Sequence, residues 1–293
     1  MPHISPPRIA AIHDLSCFGR CALTVIMPTL SVMGYQTVPV PTALLSTHTG
    51  GFTDLYFHDL TPDMQEIAAH FSRLGITFRS IYTGFLGSER QIETVSLFLN
   101  RFADQPDESG EKPLVLIDPV MGDDGVLYST YTPEMIQGMK EISRRACVLT
   151  PNLTEACFLT DTPYRETANL PLQDVLDFSR ELLEKLTAIT QKRIVITGIR
   201  MSDGNLANVG KDLDGSCFLV CKPHEGHSYP GTGDLFASVL LGALLRKESF
   251  RNACEDAAAF TSEVIRDSAK ADSPVRNGVA LESHLYKLVK RPN

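Results

Sequence analysis

The chain has 293 residues, of which 43% are hydrophobic and 21% charged, a balance typical of a folded globular protein with a substantial core. Its formal net charge of -8 argues against general nucleic-acid binding, which relies on a basic surface to neutralise phosphates. Because the N-terminus lacks a long apolar signal core and no later run approaches the roughly 20 apolar residues of a membrane span, we expect a cytoplasmic protein without membrane contacts. The odd number of cysteines, seven, fits reduced thiols better than a disulfide framework.

Short apolar segments rich in β-branched residues alternate with segments of helical periodicity along most of the chain. Two further strands are then predicted at 206–209 and 216–221, and three helices are predicted to close the chain. This alternation predicts an α/β fold in one domain, residues 1–293, with a mainly parallel sheet flanked by helices and no separate lid domain. A ligand is expected at the carboxyl ends of the strands. The earlier predicted strands are 8–12, 37–40, 80–82, 114–117, 147–149 and 193–196, and the clearest helices are 23–33, 64–74, 92–102 and 175–186.

The Pro-Gly-Thr-Gly-Asp stretch at 230–234 precedes an apolar run at 237–245, which predicts a helix that begins at a tight glycine turn. Unpaired N–H groups at such a helix N-terminus attract a phosphate, and the carboxylate of Asp234 could accept a proton from an attacking hydroxyl. The same residues also form ordinary turns between a loop and a helix. From these residues alone, the functional and the purely structural interpretation are about equally supported. The chain lacks the P-loop signature, so any phosphate chemistry uses another scaffold.

Polar residues and glycines follow several predicted strands. Asp14 comes soon after the first strand, Thr49 and Gly50 follow the second, and Thr197 stands at the end of a later one. Phe85 follows the third strand, where its ring could cover a flat ligand. Taken one at a time, each of these residues is more typical of a cap, a turn or core packing.

Acidic residues follow the two strands in the middle of the chain. Asp118 and Asp123 come after the 114–117 strand, and their oxygens could help organise Mg²⁺. After the next strand come Thr150, Asn152 and Glu155, at the beginning of a predicted helix. This second group is also typical of a helix cap in which Glu155 stabilises the first turn.

Six segments, taken together and in order, favour a functional site over ordinary caps and turns: HDLSCFG, STHTGGF, TGFLGS, DPVMGDDG, TPNLTEA and PGTGDLFA. The ordered set resembles the pyridoxal kinase family of the ribokinase-like superfamily. The resemblance implies a ribokinase-like three-layer fold, ATP as the phosphoryl donor and Mg²⁺ as the cofactor, with a monovalent cation such as K⁺ as a further candidate near Asp118 and Thr150. It also implies phosphorylation of the hydroxymethyl group of a vitamin B6 vitamer to the 5'-phosphate, and a homodimer.

For the transfer step, the resemblance implies that Asp234 is the general base and that Gly231, Thr232 and Gly233 form an anion hole around the transferred group. Mg²⁺ is then held, directly or through water, by Asp118 and Glu155, with Asp123 as a further candidate. The implied ATP-binding residues are Asp118, Thr150, Asn152, Glu155, Thr197 and Thr232.

On the substrate side, the resemblance implies contacts from Asp14, Thr49, Gly50 and Phe85, together with Asp234. Phe85 stands where related enzymes can carry tyrosine, which keeps ring packing but loses a phenolic hydrogen bond. Asp14 stands where many pyridoxal kinases have serine. We hypothesise that its charge alters the preference among pyridoxal, pyridoxine and pyridoxamine.

Two alternatives remain open. A hydroxymethylpyrimidine kinase shares this fold and chemistry, and an acidic residue at Asp14 resembles that branch, whereas STHTGGF and GTGDLFA are more similar to pyridoxal kinases. A noncatalytic nucleotide-binding regulatory protein is the alternative of a different class, although Asp234 beside a complete glycine turn favours an enzyme. In either kinase, we expect the loop at 123–132, which contains Tyr128, to close over the site and exclude water.

Overall fold

Strands and helices alternate along most of the chain in the computed structural model, which describes residues 6–224 and 228–289. The strands are β1 (Arg8–Phe18), β2 (Gln36–Thr47), β3 (Phe57–Asp59), β4 (Ser80–Thr83), β5 (Leu114–Ile117), β6 (Gly122–Asp123), β7 (Val126–Leu127), β8 (Val148–Leu149), β9 (Arg193–Arg200), β10 (Asn205–Lys211) and β11 (Cys217–Pro223). The α-helices are α1 (Leu23–Val32), α2 (Thr61–Arg73), α3 (Glu89–Phe102), α4 (Pro133–Ser143), α5 (Leu153–Leu159), α6 (Leu172–Ile189), α7 (Thr232–Leu245) and α8 (Phe250–Lys270).

A nine-stranded sheet forms the centre of the fold, in the order β11-β10-β9-β8-β5-β4-β1-β2-β3. The strands from β9 to β2 run parallel to their neighbours, whereas β10 and β11 at one edge and β3 at the other are antiparallel. The predicted α/β fold with a mainly parallel sheet is therefore confirmed. The strands β6 and β7 pair as a separate hairpin, which was not expected from the sequence.

Helices cover both faces of the sheet, because alternate residues of each central strand point to opposite sides. In β1, Ile9 and Ala11 pack into the cluster formed with α1, α7 and α8, whereas Ala10 and Ile12 pack into the cluster formed with α2 to α6. The result is the expected three-layer arrangement. It exposes the carboxyl ends of the parallel strands at one edge of the layers, where a cleft can form.

Helix α7 is the most apolar of the helices, and every residue from Leu235 to Leu244 is buried between the sheet, α1 and α8. Its 14 residues are fewer than a bilayer requires. Across residues 6–224 and 228–289, none of the helices combines the length and the apolar character needed to cross a membrane.

Two details of the predicted elements are wrong. β1 continues to Phe18 and β2 to Thr47, so Asp14 lies within a strand rather than after one, as does Thr197 in β9. The strands continue past their apolar residues because backbone pairing between β1 and β2 does not depend on the side chains. Between Ser228 and Val289, the part of the C-terminal region that the structure describes, α7 and α8 are the α-helices. The third predicted helix is replaced by two short 3₁₀ helices at Val275–Asn277 and Leu285–Leu288.

Candidate active site

A cleft of about 790 Å³ lies at the carboxyl ends of the parallel strands and brings together all the site residues expected from the sequence. Their convergence from distant parts of the chain is the first indication that they act together. The expected residues that line the cleft are Asp14, Thr49, Gly50, Phe85, Asp118, Asp123, Tyr128, Thr150, Asn152, Glu155, Thr197, Gly231, Thr232, Gly233 and Asp234.

The glycine turn before α7 has the conformation needed at a helix N-terminus that binds an anion. Gly231 caps the helix in the left-handed region, at φ 82°, and a side chain there would collide with the carbonyl oxygen of Arg20. The first helical hydrogen bond runs from the N–H of Leu235 to the carbonyl of Gly231. The N–H groups of residues 232–234 therefore precede the helical ladder and lie at the positive end of the helix dipole.

Replacing Gly231 by alanine is expected to destabilise the protein, because the new side chain combines an unfavourable φ with a clash against backbone. We expect Gly231→Ala to lower the free energy of unfolding by at least about 1–3 kcal/mol in urea denaturation. The control is Gly233→Ala, two residues on, where a side chain would meet no atom within 4 Å. Equal stability of both variants would show that the turn tolerates a side chain at 231.

Asp234, in the first turn of α7, faces the cleft, and its carboxylate contacts His13 of β1 and the residue before α1, Ala22. The N–H of Ala22 donates to Oδ2 at 2.7 Å, and Oδ1 lies 3.7 Å from Nδ1 of His13. Burial, assisted by the charge of Asp14, raises the pKa of Asp234 to about 6, although the hydrogen bond from Ala22 opposes this rise. The group is thus ionised at neutral pH and close to the pKa that suits a general base.

A second group of acidic residues lies further along the cleft, after β5 and β8. Asp118 is buried, and Oγ1 of Thr150 donates to its Oδ1 at 3.2 Å. Burial and the charge of Asp234 raise the pKa of Asp118 to about 8. The two carboxylates therefore repel each other across the cleft, which favours a bound cation between the charged groups.

The cap expected at the start of α5 is confirmed as a capping box. Oδ1 of Asn152 accepts from the N–H of Glu155 at 2.9 Å, and Oε2 of Glu155 accepts from the N–H of Asn152 at 2.8 Å. The other carboxylate oxygen, Oε1, accepts from the N–H of Met121 at 3.1 Å, and Nδ2 of Asn152 donates to the carbonyl of Gly122 at 2.8 Å. Both side chains thus hold the segment 118–122 against α5. Burial and the charge of Asp118 raise the pKa of Glu155, whereas its two N–H donors lower it.

The carboxylates of Asp118, Glu155 and Asp123 fit a metal that keeps several of its waters. They do not gather into a three-ligand cluster with their oxygens within 4.8 Å of one another. In the described ranges, the hydrogen-bond partners of Asp118 and Glu155 are a hydroxyl and backbone N–H groups, and neither carboxylate pairs with lysine or arginine. Oxygen donors spaced in this way suit Mg²⁺, which takes few carboxylates directly and retains water.

The group Glu263, Asp267 and His284 is geometrically the better metal cluster, but it is already neutralised. Nε2 of His284 lies 2.9 Å from Oδ2 of Asp267, and Nζ of Lys287 lies 2.8 Å from Oε1 of Glu263. Arg266 contacts both carboxylates. None of these residues lines the cleft.

The hairpin β6–β7 occupies the loop that was expected to close over the site. The N–H of Gly125, at its tip, donates to Oγ1 of Thr154 on α5 at 2.8 Å. Tyr128 follows the hairpin, and its N–H donates to the carbonyl of Met121 at 2.9 Å. These bonds place the Tyr128 side chain on the cleft with 41% of its surface exposed.

The opposite end of the cleft is lined by residues of β1 and by the loop after β2. Oγ of Ser16 donates to Oδ2 of Asp14 at 2.9 Å, and burial raises the pKa of Asp14. Nδ1 of His48 accepts from the N–H of Gly50 at 3.1 Å, while its Nε2 lies 2.7 Å from the carbonyl oxygen of Arg276. That pairing requires a neutral imidazole with its proton on Nε2, and it fixes the backbone beside Thr49.

The backbone of Arg20 connects this end of the cleft with the glycine turn. Its N–H donates to the carbonyl of Asn277 at 3.0 Å, and its carbonyl oxygen packs against both Gly231 and Gly278. Its guanidinium pairs with Glu282, Nε to Oε1, at 2.6 Å. The segment after α8 is therefore part of the support for the glycine turn before α7.

Several residues of the cleft were not assigned a role from the sequence. Ala22 contributes only a backbone N–H, and His13, Ser16 and His48 act through contacts that arise on folding. The signal for three of them was present, because His13, Ser16 and His48 stand within the quoted HDLSCFG and STHTGGF segments. Ala22 has no side-chain signal that could have identified it.

A family model described as phosphomethylpyrimidine kinase matches residues 27–277, which is most of the chain. The chain belongs to this family. Its members transfer phosphoryl groups, so the protein is a kinase of the pyridoxal and phosphomethylpyrimidine kinase group, and the resemblance inferred from the six segments is confirmed.

Relatives with two different substrate names resemble the chain over nearly its whole length. A pyridoxine/pyridoxal/pyridoxamine kinase of Bordetella avium is 26% identical over 280 residues, covering 90% of this chain and 86% of that protein. A hydroxymethylpyrimidine/phosphomethylpyrimidine kinase of Mycobacterium tuberculosis is 25% identical over 303 residues, covering 98% and 97%. A solved structure from Bacteroides thetaiotaomicron, provisionally named a phosphomethylpyrimidine kinase and crystallised with pyridoxal, is 37% identical with a TM-score of 0.88, covering 98% of this chain and 97% of that one.

Proposed function

We propose that the protein transfers the γ-phosphoryl group of ATP to the hydroxymethyl group of a vitamin B6 vitamer, giving the 5'-phosphate. The observation that carries the proposal is the position of Asp234, whose carboxylate is held beside an anion-binding helix N-terminus at the centre of the cleft. The Bacteroides relative supports the vitamer, because its structure contains pyridoxal.

In the proposed reaction, the oxygen of the substrate hydroxyl attacks the γ-phosphorus of ATP, and Asp234 accepts the proton of that hydroxyl. The bond from that phosphorus to the β,γ-bridging oxygen breaks, and ADP leaves with the electron pair. The N–H groups of the turn formed by Gly231, Thr232 and Gly233 stabilise the charge on the transferred group. The ionised state and fixed orientation of Asp234 make it ready to take the proton.

On the nucleotide side, we propose that Thr150, Asn152 and Thr197 lie along the ATP phosphates. Asp118 and Glu155 would hold Mg²⁺ partly through water, with Asp123 nearby, and a monovalent cation such as K⁺ is proposed beside Asp118 and Thr150. When bound, Mg²⁺ offsets the negative charge of the phosphates. The chain's own contribution is the 118–122 segment, which is held by the bond from the N–H of Met121 to Glu155 and the bond from Asn152 to the carbonyl of Gly122.

On the substrate side, we propose that Asp14, Thr49 and Gly50 contact the polar groups of the pyridine ring and that Phe85 packs against its face. All four residues line the cleft. Tyr128 would cover the bound substrates as the hairpin loop closes. The protein is proposed to act as a homodimer of single-domain chains, which light scattering of the purified protein would test.

One observation favours hydroxymethylpyrimidine as a second candidate substrate. The buried carboxyl of Asp14 can pair with an amino group and a ring nitrogen, which an aminopyrimidine presents side by side. The Mycobacterium relative carries that substrate in its name. The two kinase proposals differ in the ring and share the chemistry at Asp234.

A single assay separates these proposals. Purified protein with Mg²⁺ and ATP is offered pyridoxal, pyridoxine, pyridoxamine, hydroxymethylpyrimidine and its monophosphate, and the phosphorylated products are identified by mass spectrometry. We expect the highest kcat/KM with a B6 vitamer. A higher value with either pyrimidine would replace the vitamer by the second candidate, and nucleotide binding without any product would support a noncatalytic protein.

Asp14→Ser is expected to change the order of substrate preference. The substitution removes a buried carboxyl that faces the ring while leaving a hydroxyl able to accept or donate a hydrogen bond. We expect the ratio of kcat/KM between pyridoxamine and pyridoxine to change by about tenfold, the effect of one charge-assisted hydrogen bond. Unchanged ratios across all substrates would exclude Asp14 from ring recognition.

A further inference from the structure

A buried histidine, His13, lies behind the proposed base without any hydrogen-bond partner for its ring. It is fully buried, and neither Nδ1 nor Nε2 finds a partner within hydrogen-bonding distance in the described ranges. Its Nδ1 lies 3.7 Å from a carboxylate oxygen, Oδ1 of Asp234. Because a buried polar group without a partner costs free energy, this arrangement requires a compensating interaction.

The backbone of β1 is shaped so that His13 can reach this position. The pairing of β1 with β2 is irregular between His13 and Leu15, and such a bulge redirects side chains relative to a regular strand. As a result the consecutive residues His13 and Asp14 both line the cleft. The ring lies against Gly84, where any side chain would collide with it, and packs edge-on against Tyr82 with ring centroids 4.5 Å apart.

The surroundings keep the His13 ring uncharged. Burial lowers the pKa of His13 to about 3, and the ring is therefore neutral over the working range of an enzyme. The other titratable groups near Asp234 are Asp14, Asp118, the thiol of Cys21 and the hydroxyls of Tyr82 and Tyr128. Burial, together with the charge of Asp234, raises the pKa of Cys21, Tyr82 and Tyr128. A neutral ring can carry its proton on Nδ1 and so offer one donor to the carboxylate.

We infer that His13 is a positioning residue for Asp234: its Nδ1–H is the donor to Oδ1 that, together with the Ala22 N–H on Oδ2, fixes the carboxylate toward the substrate hydroxyl. This inference rests on the proposed function of Asp234 as general base. The present separation of 3.7 Å exceeds a hydrogen bond, and catalytic hydrogen bonds often tighten only when the substrate is engaged.

Each of the two contacts acts on a different oxygen of the Asp234 carboxylate: Ala22 on Oδ2 and His13 on Oδ1. The bond from Ala22 uses a backbone N–H, which substitutions at His13 leave in place, so it still anchors Asp234 in those variants. The bond from His13 sets the rotation of the carboxylate about that anchor. His13 exchanges no proton with the substrate in this scheme, since its neutral ring only donates a hydrogen bond.

The test compares variants of His13 that differ in whether the side chain carries a hydrogen-bond donor and in how much of the ring volume it fills. The assays use pyridoxal, MgATP and the full-length protein. In His13→Asn, the side-chain Nδ2 takes the place of the Nδ1 donor, although the smaller side chain leaves part of the ring volume empty. His13→Phe fills the volume and lacks the donor, and His13→Leu is a second donor-free variant should the phenylalanine fail to fold against Gly84. Each variant is also combined with Asp234→Asn.

We expect the donor-free variants to lower kcat by about 10- to 100-fold with KM for both substrates changed by less than about threefold, as for a misplaced catalytic group. His13→Asn should retain more activity than either, even though its cavity makes it the least stable by Tm. In the Asp234→Asn background, replacing His13 should change kcat by less than about twofold.

A purely structural role predicts the opposite order, in which activity follows stability and His13→Asn is the least active. Wild-type kcat in both donor-free variants would overturn the inference while leaving the kinase proposal intact. A wild-type protein that phosphorylates no alcohol would instead contradict the proposed function, so the two failures are distinguishable.

Discussion

Asp234→Asn is expected to lower kcat by about 10²- to 10⁴-fold, the usual contribution of a general base. The amide oxygen can still accept the N–H of Ala22, so the side chain should stay in place while losing its ability to take a proton. Affinity for MgATP, measured by calorimetry, should change little. Because burial raises the pKa of Asp234, its charge disfavours the folded state at neutral pH, and the variant should be at least as stable as the wild type by Tm.

The pH profile provides an independent check on the same residue. Since the ionised carboxylate is the active form and the pKa of Asp234 is about 6, wild-type kcat/KM should fall as the pH is lowered through about 6. That acidic limb should be missing from the residual activity of Asp234→Asn. A variant with wild-type kcat, or with the same acidic limb, would show that another group removes the proton.

Glu155→Gln is expected to have the second-largest effect and to act on the nucleotide. An amide presents one oxygen where the backbone offers two donors, so its NH₂ group must face the N–H of either Met121 or Asn152. We expect a loss of about 1–3 kcal/mol in the free energy of unfolding, from one unsatisfied buried donor. The loosened 118–122 segment should also weaken MgATP binding or activity by about 10- to 100-fold, as substitutions behind a metal site commonly do.

The control for this variant is Glu184→Gln, which removes a carboxylate from an exposed position of α6. It should leave both stability and MgATP binding unchanged. Wild-type behaviour of Glu155→Gln would mean that Glu155 is a neutral carboxyl in the folded protein and that its charge does not contribute to the site.

Some site residues could be predicted because they follow strands, and parallel strands end at the same edge of a sheet. Asp118, Thr150 and Phe85 were expected at the cleft for this reason, and the structure has them there. The capping residues Asn152 and Glu155 were predictable for another reason, since a capping box depends only on local sequence. The apolar run after residue 236 likewise identified α7, although not that it would be buried on nearly all sides.

The contacts that set the chemistry could not be predicted, because they join residues that are distant in sequence or use backbone atoms. The N–H that anchors Asp234 belongs to Ala22, whose own φ of 47° is unusual for alanine and leaves no mark in the sequence. The irregular pairing after His13 depends on how β1 meets β2, which a single strand does not reveal. The hydrophobic pattern also placed the end of β1 too early, because the last residues of this strand are polar or exposed.

The contact of Arg20 with residues 231 and 277–278 has a consequence for how the protein folds. The segments that meet there come from the first and last parts of the chain, so their association requires closure of a very long loop. Non-local contacts of this kind form slowly during folding. A chain in which β1 to α6 have assembled but the 275–278 segment has not docked lacks one wall of the glycine turn before α7. Recovery of kinase activity after refolding should therefore follow the last docking event rather than the first appearance of helix and sheet.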